Sequence, residues 1–401
     1  MTYLPTSESV LSSTAVVVTE NSETHVKMGV EANPDSRFIT VDKCCKEDLP
    51  GVAALHRRIY YKSNRLGTTA LDDYYRQIFF ENPWVRDDMS SFVARDGAGN
   101  VTGFLGVIPR PMSLGDRTAW AAITHRLMAA PGRGSELTAA RLVRRLLVGS
   151  QDLWLSDGAN DSGRRAIEAV GGVTLLPYSM NWIRVLRPFR YATSLLANKG
   201  IRNPIPLLDA VACGIGDRLA KRFVRKMSND VTRSADPIEL DSDVLLSCVE
   251  NASHDRRLRP RYDRDSLRWL LGVLTANTNR GELRGFAIPS TNRTWIGSCL
   301  YYAKQNGVAE VLQIAARPAG VAQVLATLFR RAWDENLTCV MGRLEPAFLP
   351  MLWDQNCLLK RGSWAMAYSA HPDIMRCMLT SDMYLSCLEA ELWLRSPYNV
   401  L

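Results

Sequence analysis

Two periods of apolar and polar positions alternate along the first half of the chain. Phe38 to Val41 reads as a short strand, and Asp48 then caps a helix carrying Val52, Leu55 and Ile59 at helical spacing. Leu71 to Phe80 keeps the helical period and stops at Asn82-Pro83. Ser91 to Arg95 and Val101 to Ile108 flank the turn residues Asp96 to Asn100, which predicts a hairpin, and Gly115-Asp116 turns the chain into a third strand, Thr118 to Met128. Pro131 to Gly134 breaks that strand and opens a helix with Leu137, Ala140, Val143 and Leu147 as its apolar face. Leu153 to Leu155 makes the next strand. A helix from Asn160 to Val170 ends at Gly171-Gly172, and Leu175 to Val185 supplies the last strands.

The same order then recurs. Ile238 to Leu240 is a strand, Leu245 to Ala252 and Ser266 to Leu274 are helices, and Leu283 to Ile288 pairs with Trp295 to Ala303. Val311 to Ala316 follows, then a helix with Val321, Val324, Leu325 and Leu328 on one face, a strand from Cys339 to Gly342, a helix near Leu349 to Asn356, and strands to Tyr368. The expected fold class is α+β, with mixed α/β layers: two tandem domains, each a mostly antiparallel central sheet flanked by helices. The expected boundaries are a disordered leader over 1–36, domains over 37–187 and 237–385, a helical connector over 188–236 and a tail over 386–401.

Composition narrows the class. With 401 residues, 46% apolar and 22% charged, the chain is globular and long enough for two or three domains. No apolar run reaches the roughly 18 residues of a membrane span; the longest candidate, Ile205 to Ile215, contains Asp209. Nine cysteines without a CxxC point away from a disulfide framework or zinc site and toward a cytoplasmic location. No P-loop, G-x-G-x-x-G after a strand, H-E-x-x-H or G-x-S-x-G occurs, and the five histidines are scattered, so no metal site is expected.

The element order, together with the stretch Leu127-Met128-Ala129-Ala130-Pro131-Gly132-Arg133-Gly134-Ser135-Glu136, resembles the GNAT superfamily of acyl-coenzyme A dependent acyltransferases, and the repeat resembles its tandem members. In that family a strand leads through R/Q-x-x-G-x-G/A into a helix whose first main-chain N–H groups hold the pyrophosphate, as orphan amides and the helix dipole allow. The resemblance implies an acetyl or other acyl coenzyme A co-substrate held by Leu127, Met128, Ala129, Arg133, Gly134, Ser135 and Glu136, with Asn160 against the pantetheine arm. Glu136 departs from the pattern, standing where a second glycine is expected, and Asn160 also reads as a helix cap. The second half reads Ile314-Ala315-Ala316-Arg317-Pro318-Ala319-Gly320, an anion-binding corner without the Gly-x-Gly spacing, which leaves both halves open.

Acyl transfer needs a base for the acceptor and an acid for the leaving thiolate. The candidates are His125, Asp157 and Tyr178 in the first half, and Glu310 with Tyr301 or Tyr302 in the second. Each has a structural reading too: a core histidine, an Asp-Gly turn, a packed tyrosine. The expected activity is acyl transfer to an amine or hydroxyl of a small-molecule, saccharide or peptide acceptor. The alternatives are a non-catalytic GNAT-like binding protein, and a peripheral membrane or nucleic-acid binder acting through the connector, of which nucleic acid is the less expected. The arginines from Arg256 to Arg268 interleave with Asp255, Asp263 and Asp265 and neutralise one another. The net charge of +8 instead sits between Arg184 and Lys226, where ten basic residues face Asp209 and Asp217 while the rest of the chain balances, 39 against 39. An anionic partner is therefore expected at the connector.

Overall fold

A computed structural model describes residues 39–61, 68–132, 134–198, 236–291, 294–305 and 307–394. The expected leader, most of the basic connector and Arg133 lie outside the described residues. In chain order the first elements are β1 (Thr40–Lys43), α1 (Leu49–Tyr60), α2 (Thr68–Phe79), β2 (Phe92–Arg95), β3 (Val101–Leu114), β4 (Arg117–Ala129), α3 (Ser135–Leu147), β5 (Leu153–Ala159), α4 (Asp161–Glu168), β6 (Val173–Thr174), β7 (Met180–Val185) and α5 (Pro188–Asn198). There follow β8 (Ile238–Glu239), α6 (Ser242–Ser253), β9 (Leu258–Pro260), α7 (Arg264–Ala276), β10 (Glu282–Pro289), β11 (Trp295–Ala303), β12 (Val308–Ala316) and α8 (Pro318–Asp334). The last are β13 (Cys339–Arg343), α9 (Leu349–Asp354), β14 (Leu358–Arg361), β15 (Trp364–Tyr368) and α10 (Pro372–Leu379).

The chain is α+β and forms two units. Among the described residues, unit 1 takes those up to Arg110, Trp120–Leu176 and Gly362–Pro372, and unit 2 takes Pro111–Ala119, those from Pro177 to Arg361, and those from Asp373 onward. The first sheet runs β1-β2-β3-β4-β5-β15-β6, with β9 also paired to β3; the second runs β14-β7-β13-β12-β11-β10-β8. Neither sheet uses only its own half of the sequence. β7, read as the last strand of the first half, lies antiparallel between β13 and β14, and β15 lies antiparallel between β5 and β6. The division therefore falls at Leu176 and Pro177 and again around 362–372, not at 187 and 237. A strand's hydrophobic pattern fixes which face is buried and not which edge it joins, so the exchange leaves no mark in the periodicity.

Each unit has its own core. In unit 1, Leu105, Ala122, Leu142, Val143, Leu146, Trp154 and Met366 pack together; in unit 2, Trp182, Phe286, Ile314, Val324, Leu325 and Leu328 do so. The buried stripe of α3 is Ala139, Leu142, Val143 and Leu146, at i, i+3, i+4 and i+7, and not the expected Leu137, Ala140, Val143 and Leu147. Leu137 is 52% exposed because it lies with exposed Ala140 on the outer face of α3, whereas its neighbour Thr138 in the same turn is 3% exposed. β3 continues past Ile108 through Pro109 and Pro111, which fall between the β2 register, ending at Leu105, and the β9 register, starting at Met112. Pro111 still accepts through its carbonyl, from Arg261 N at 3.0 Å, although it has no N–H to return. Residues expected as a tail are core: Leu388, Glu389, Ala390, Glu391, Trp393 and Leu394 are all at most 2% exposed.

Candidate functional site

In unit 1 the parallel pair β4 and β5 is in register only from Ala121 with Leu153 to Ile123 with Leu155. Beyond that rung β4 runs on to Ala129 and β5 to Ala159, so the strands part and leave a fork. Thr124 and Leu127 on one arm, Trp154, Ser156 and Ala159 on the other, and Val143, Leu146 and Ile167 from α3 and α4 line an apolar slot of about 20 Å³. That volume suits about one water, so a pantetheine arm needs the slot to widen.

The helix following the forked strand begins without a side-chain cap. Its N-cap is Gly134 at φ 89, preceded by Gly132 at φ 139, and a Cβ at either position would meet nothing within 4 Å. Left-handed backbone favours glycine there, and the bare first turn offers main-chain amides and the positive end of a 13-residue helix. The chemistry of this cradle fits a phosphate. Glu136 is exposed in the same turn, so its carboxylate sits at the rim. Asn160 caps α4, its Oδ1 accepting from Gly163 N at 2.8 Å.

His125 and Asp157 stand two residues beyond the last rung, one on each arm of the fork, and both are fully buried. His125 Nε2 lies 3.2 Å from the hydroxyl of Tyr74, a half-buried residue of α2. Burial holds His125 well below the usual imidazole range, and the charge of Arg126 adds to the effect. Arg126 itself has φ 62, a left-handed residue inside a strand, and its guanidinium carbon lies 5.1 Å from the Tyr60 ring centre. Ser363 Oγ donates to the Asp157 carbonyl at 2.6 Å and fixes the β5 arm. Tyr74, His56 and the turn at Arg126 were invisible as site features in the sequence; the one signal was the aromatic density of α1 and α2.

Unit 2 has the same fork, closed differently. β12 and β13 are in register from Val308 with Cys339 to Val311 with Gly342, and β12 then runs on to Ala316. The chain's own segment enters the gap: Cys387 N donates to Leu312 O at 3.1 Å, Tyr384 Oη to Ile314 O at 3.3 Å, and Gln313 Nε2 to Ser386 Oγ at 3.2 Å. Two residues beyond the last rung stand Gln313 and Leu344, neither of them titratable. The helix start carries Pro318, which has no N–H, and Arg317 Nε donates to Asn251 O at 3.1 Å. Glu310 lies within the paired stretch, bound to Arg280 at 2.9 Å. Tyr301 and Tyr302 are buried, with hydroxyls on Glu335 Oε1 and Leu274 O. Tyr178 falls in unit 2, where its hydroxyl donates to Met383 O at 3.1 Å. The four expected catalytic residues are thus divided, His125 and Asp157 in unit 1, Tyr178 and Glu310 in unit 2.

Two more charged groups of unit 2 were missed. Glu345 and Glu389 are both buried; Glu345 faces Arg256 at 3.6 Å, and Glu389 accepts from Tyr262 Oη at 2.8 Å and Ser386 N at 2.6 Å. Arg256 is half-buried and is therefore paired with the buried Glu345 and not part of a self-neutralising helix face. At the start of the basic stretch from Arg184 to Lys226, Arg187 Nη2 donates to Trp333 O at 2.6 Å and Arg184 Nη1 to Asn356 O at 3.3 Å, both within unit 2. No helix among the described residues is long and apolar enough to cross a membrane.

The chain matches no protein-family model and no curated protein in sequence. Solved structures are similar to it. A conserved protein of unknown function from Enterococcus faecalis V583, described as a probable N-acyltransferase, superposes with a TM-score of 0.52 at 11% identity, over 83% of this chain and 73% of that one. A GCN5-related N-acetyltransferase from Anabaena variabilis gives 0.51 at 12%, over 83% and 73%. One from Kribbella flavida gives 0.50 at 14%, over 82% and 70%. At such identity the likeness carries architecture alone, and the architecture of this chain is the GNAT fold.

Proposed function

We propose that the protein is an acyltransferase that takes an acetyl or other acyl group from a coenzyme A thioester and passes it to an amine or hydroxyl. The observation that carries this is the pairing, in unit 1, of a strand fork with the uncapped, glycine-started helix beside it. In this reading the amides of Glu136 and Leu137 hold the pyrophosphate, that of Ser135 being given to Gly132 O at 3.3 Å, and the arms near Leu127, Met128 and Ala129 take the pantetheine. Unit 2 is structural, because its own residues 384–387 fill the equivalent gap. As the acceptor nitrogen or oxygen bonds to the carbonyl carbon and the C–S bond breaks, the acceptor's proton is released and the thiolate takes one up. Asp157 is the carboxylate available on the fork for the first event. His125, kept neutral by burial, orients the Tyr74 hydroxyl and is a poor proton carrier.

Titration of the full chain with acetyl-coenzyme A and longer acyl-coenzyme A compounds tests the reading. One molecule should bind per chain, with thermal stabilisation growing with ligand concentration. No binding at millimolar concentration sinks the proposal. The narrow slot favours a second reading, a binding protein that holds an anion at α3 without turnover. Release of free thiol from any acyl donor in the presence of an acceptor excludes it.

A further inference from the structure

Unit 2 carries an apolar surface that neither its core nor its fork uses. Four of the twelve large apolar side chains that stand exposed among the described residues fall between Leu349 and Leu359: Leu349 at 39%, Trp353 at 72%, Leu358 at 62% and Leu359 at 39%. Leu349 and Trp353 are four residues apart in α9 and share one face of it. The backbone then turns at Asn356, which has φ 52 and whose carbonyl accepts from Arg184 Nη1 on β7. It re-enters as β14, all four of whose residues are exposed. β14 is the end strand of the second sheet, with β7 on one side and no strand among the described residues on the other. Exposed apolar residues scattered singly need no explanation, whereas a run of them marks a contact surface.

Charge selects what that surface meets. Lys360 and Arg361 close β14 and Arg184 stands at the turn, while Asp354 is the one acid from Pro346 to Gly362. Asp354 is rotated by about 100° from Trp353 around α9. The Lys360 ammonium and the Trp353 indole N–H have no hydrogen-bond partner among the described residues. Bases on a short end strand guard it against edge pairing, which accounts for Lys360 and Arg361 but not for a bare indole and three leucines beside them. A second copy docked across this edge by a twofold axis brings four bases, Lys360 and Arg361 from each chain, onto one ladder, where like charges oppose pairing. The boundary of an anionic bilayer suits all of these groups. Leucines and the indole ring enter at the level of the acyl chains, the indole N–H meets headgroup oxygens, and the bases meet the surface charge.

We propose that Leu349, Trp353, Leu358 and Leu359 dip into the interface of a membrane containing anionic lipid, with Lys360 and Arg361 on its headgroups. β14 enters edge-on, since Leu358 and Leu359 point to opposite faces of the sheet, and the long basic side chains reach back to the surface. The contact is peripheral and independent of the acyl-transfer reading: it concerns where the chain works and not what it transfers.

The test is co-sedimentation of the full chain with sucrose-loaded vesicles, either phosphatidylcholine alone or phosphatidylcholine with about 30% phosphatidylserine, at about 50 and 300 mM salt. Expected is binding at least about tenfold tighter to the mixed vesicles at low salt, weakening as salt rises. Lys360→Gln should lower the affinity about fivefold and Trp353→Ala about tenfold, with unchanged urea midpoints, because both side chains are exposed. Brominated phosphatidylcholine in the mixed vesicles should quench part of the tryptophan emission of the wild type, and less of it in Trp353→Phe. Absence of binding to the mixed vesicles overturns the proposal. So does binding that both substitutions leave unchanged, which moves the contact to another basic part of the chain. Binding to soluble polyglutamate that Trp353→Ala weakens as much as it weakens vesicle binding overturns it in favour of an acidic protein partner, and a dimer that Trp353→Ala dissociates overturns it in favour of a second copy.

Discussion

Gly342 on β13 lies so close to Trp182 on β7 that a Cβ added at position 342 would come within 2.9 Å of the indole. The two residues are register partners, and Trp182 is the buried anchor of the strand that the first half of the sequence contributes to the second sheet. Gly342→Ala should therefore cost about 1–3 kcal/mol, the usual penalty for overpacking a filled core. The midpoint of urea unfolding followed by tryptophan fluorescence would fall; an unchanged midpoint would mean that β7 is not held where the structure has it.

Element type was legible in the sequence and partnership was not. The meander of β2, β3 and β4, the helix after Pro131 and the recurrence of the order all follow from periodicity and turn chemistry. What escaped is non-local: that Met180–Val185 and Trp364–Tyr368 change sheets, and that buried Glu389 and Glu391 belong to the core. Alternating acids and apolar residues near a chain end read as a solvated tail because nothing local announces Tyr262 and Gln313 waiting for a carboxylate. The candidate site was half legible. His125 and Asp157 were named from the family pattern, and the structure sets them at matching positions on the two arms of the fork. Glu310, named with Tyr301 or Tyr302 for the second half, lies within the paired stretch of β12, and the register makes Gln313 the position equivalent to His125.

At the base of the unit 1 fork the Trp154 indole N–H donates to Thr124 Oγ1 at 3.1 Å, and both residues are buried. Thr124→Val keeps the shape and removes the acceptor, which leaves a buried donor unmet. The expected loss is about 1–3 kcal/mol of stability, with Thr124→Ser losing much less. Chemical denaturation of the three proteins checks the order; Val and Ser variants of equal stability would show that the bond contributes nothing.

Glu136 is set between two opposing effects. As an acid in the first turn of α3 it stabilises the helix, and as an anion beside the proposed pyrophosphate cradle it repels the donor. Glu136→Gln should therefore cost roughly 0.3–1 kcal/mol of stability and tighten acyl-coenzyme A binding by about two- to fivefold. The gain should shrink as salt rises from 50 to 500 mM, since an exposed charge is screened over about a Debye length. Calorimetric titration at both salts is the measurement. A weaker complex at low salt would place the donor phosphates elsewhere.

Glu345 gives unit 2 a pH dependence of definite sign. Burial pushes its carboxyl up from 4.5 to about 8; the Arg256 charge opposes the shift and the neighbouring Glu389 adds to it. Between those two values the folded chain holds a proton that the unfolded chain has released. The contribution of Glu345 to stability is thus fully present below about pH 4.5, falls as pH rises toward 8 and is level above it, with a limiting slope of about 1.4 kcal/mol per pH unit from this group. Glu345→Gln mimics the protonated form at every pH. It should remove the slope, leave stability near pH 5 close to that of wild type, and make the variant the more stable protein at pH 8.5. Urea midpoints at pH 5, 6.5 and 8.5 for the two proteins decide it: parallel curves would mean that Glu345 ionises normally in the folded state, and that the Arg256 contact at 3.6 Å outweighs the burial.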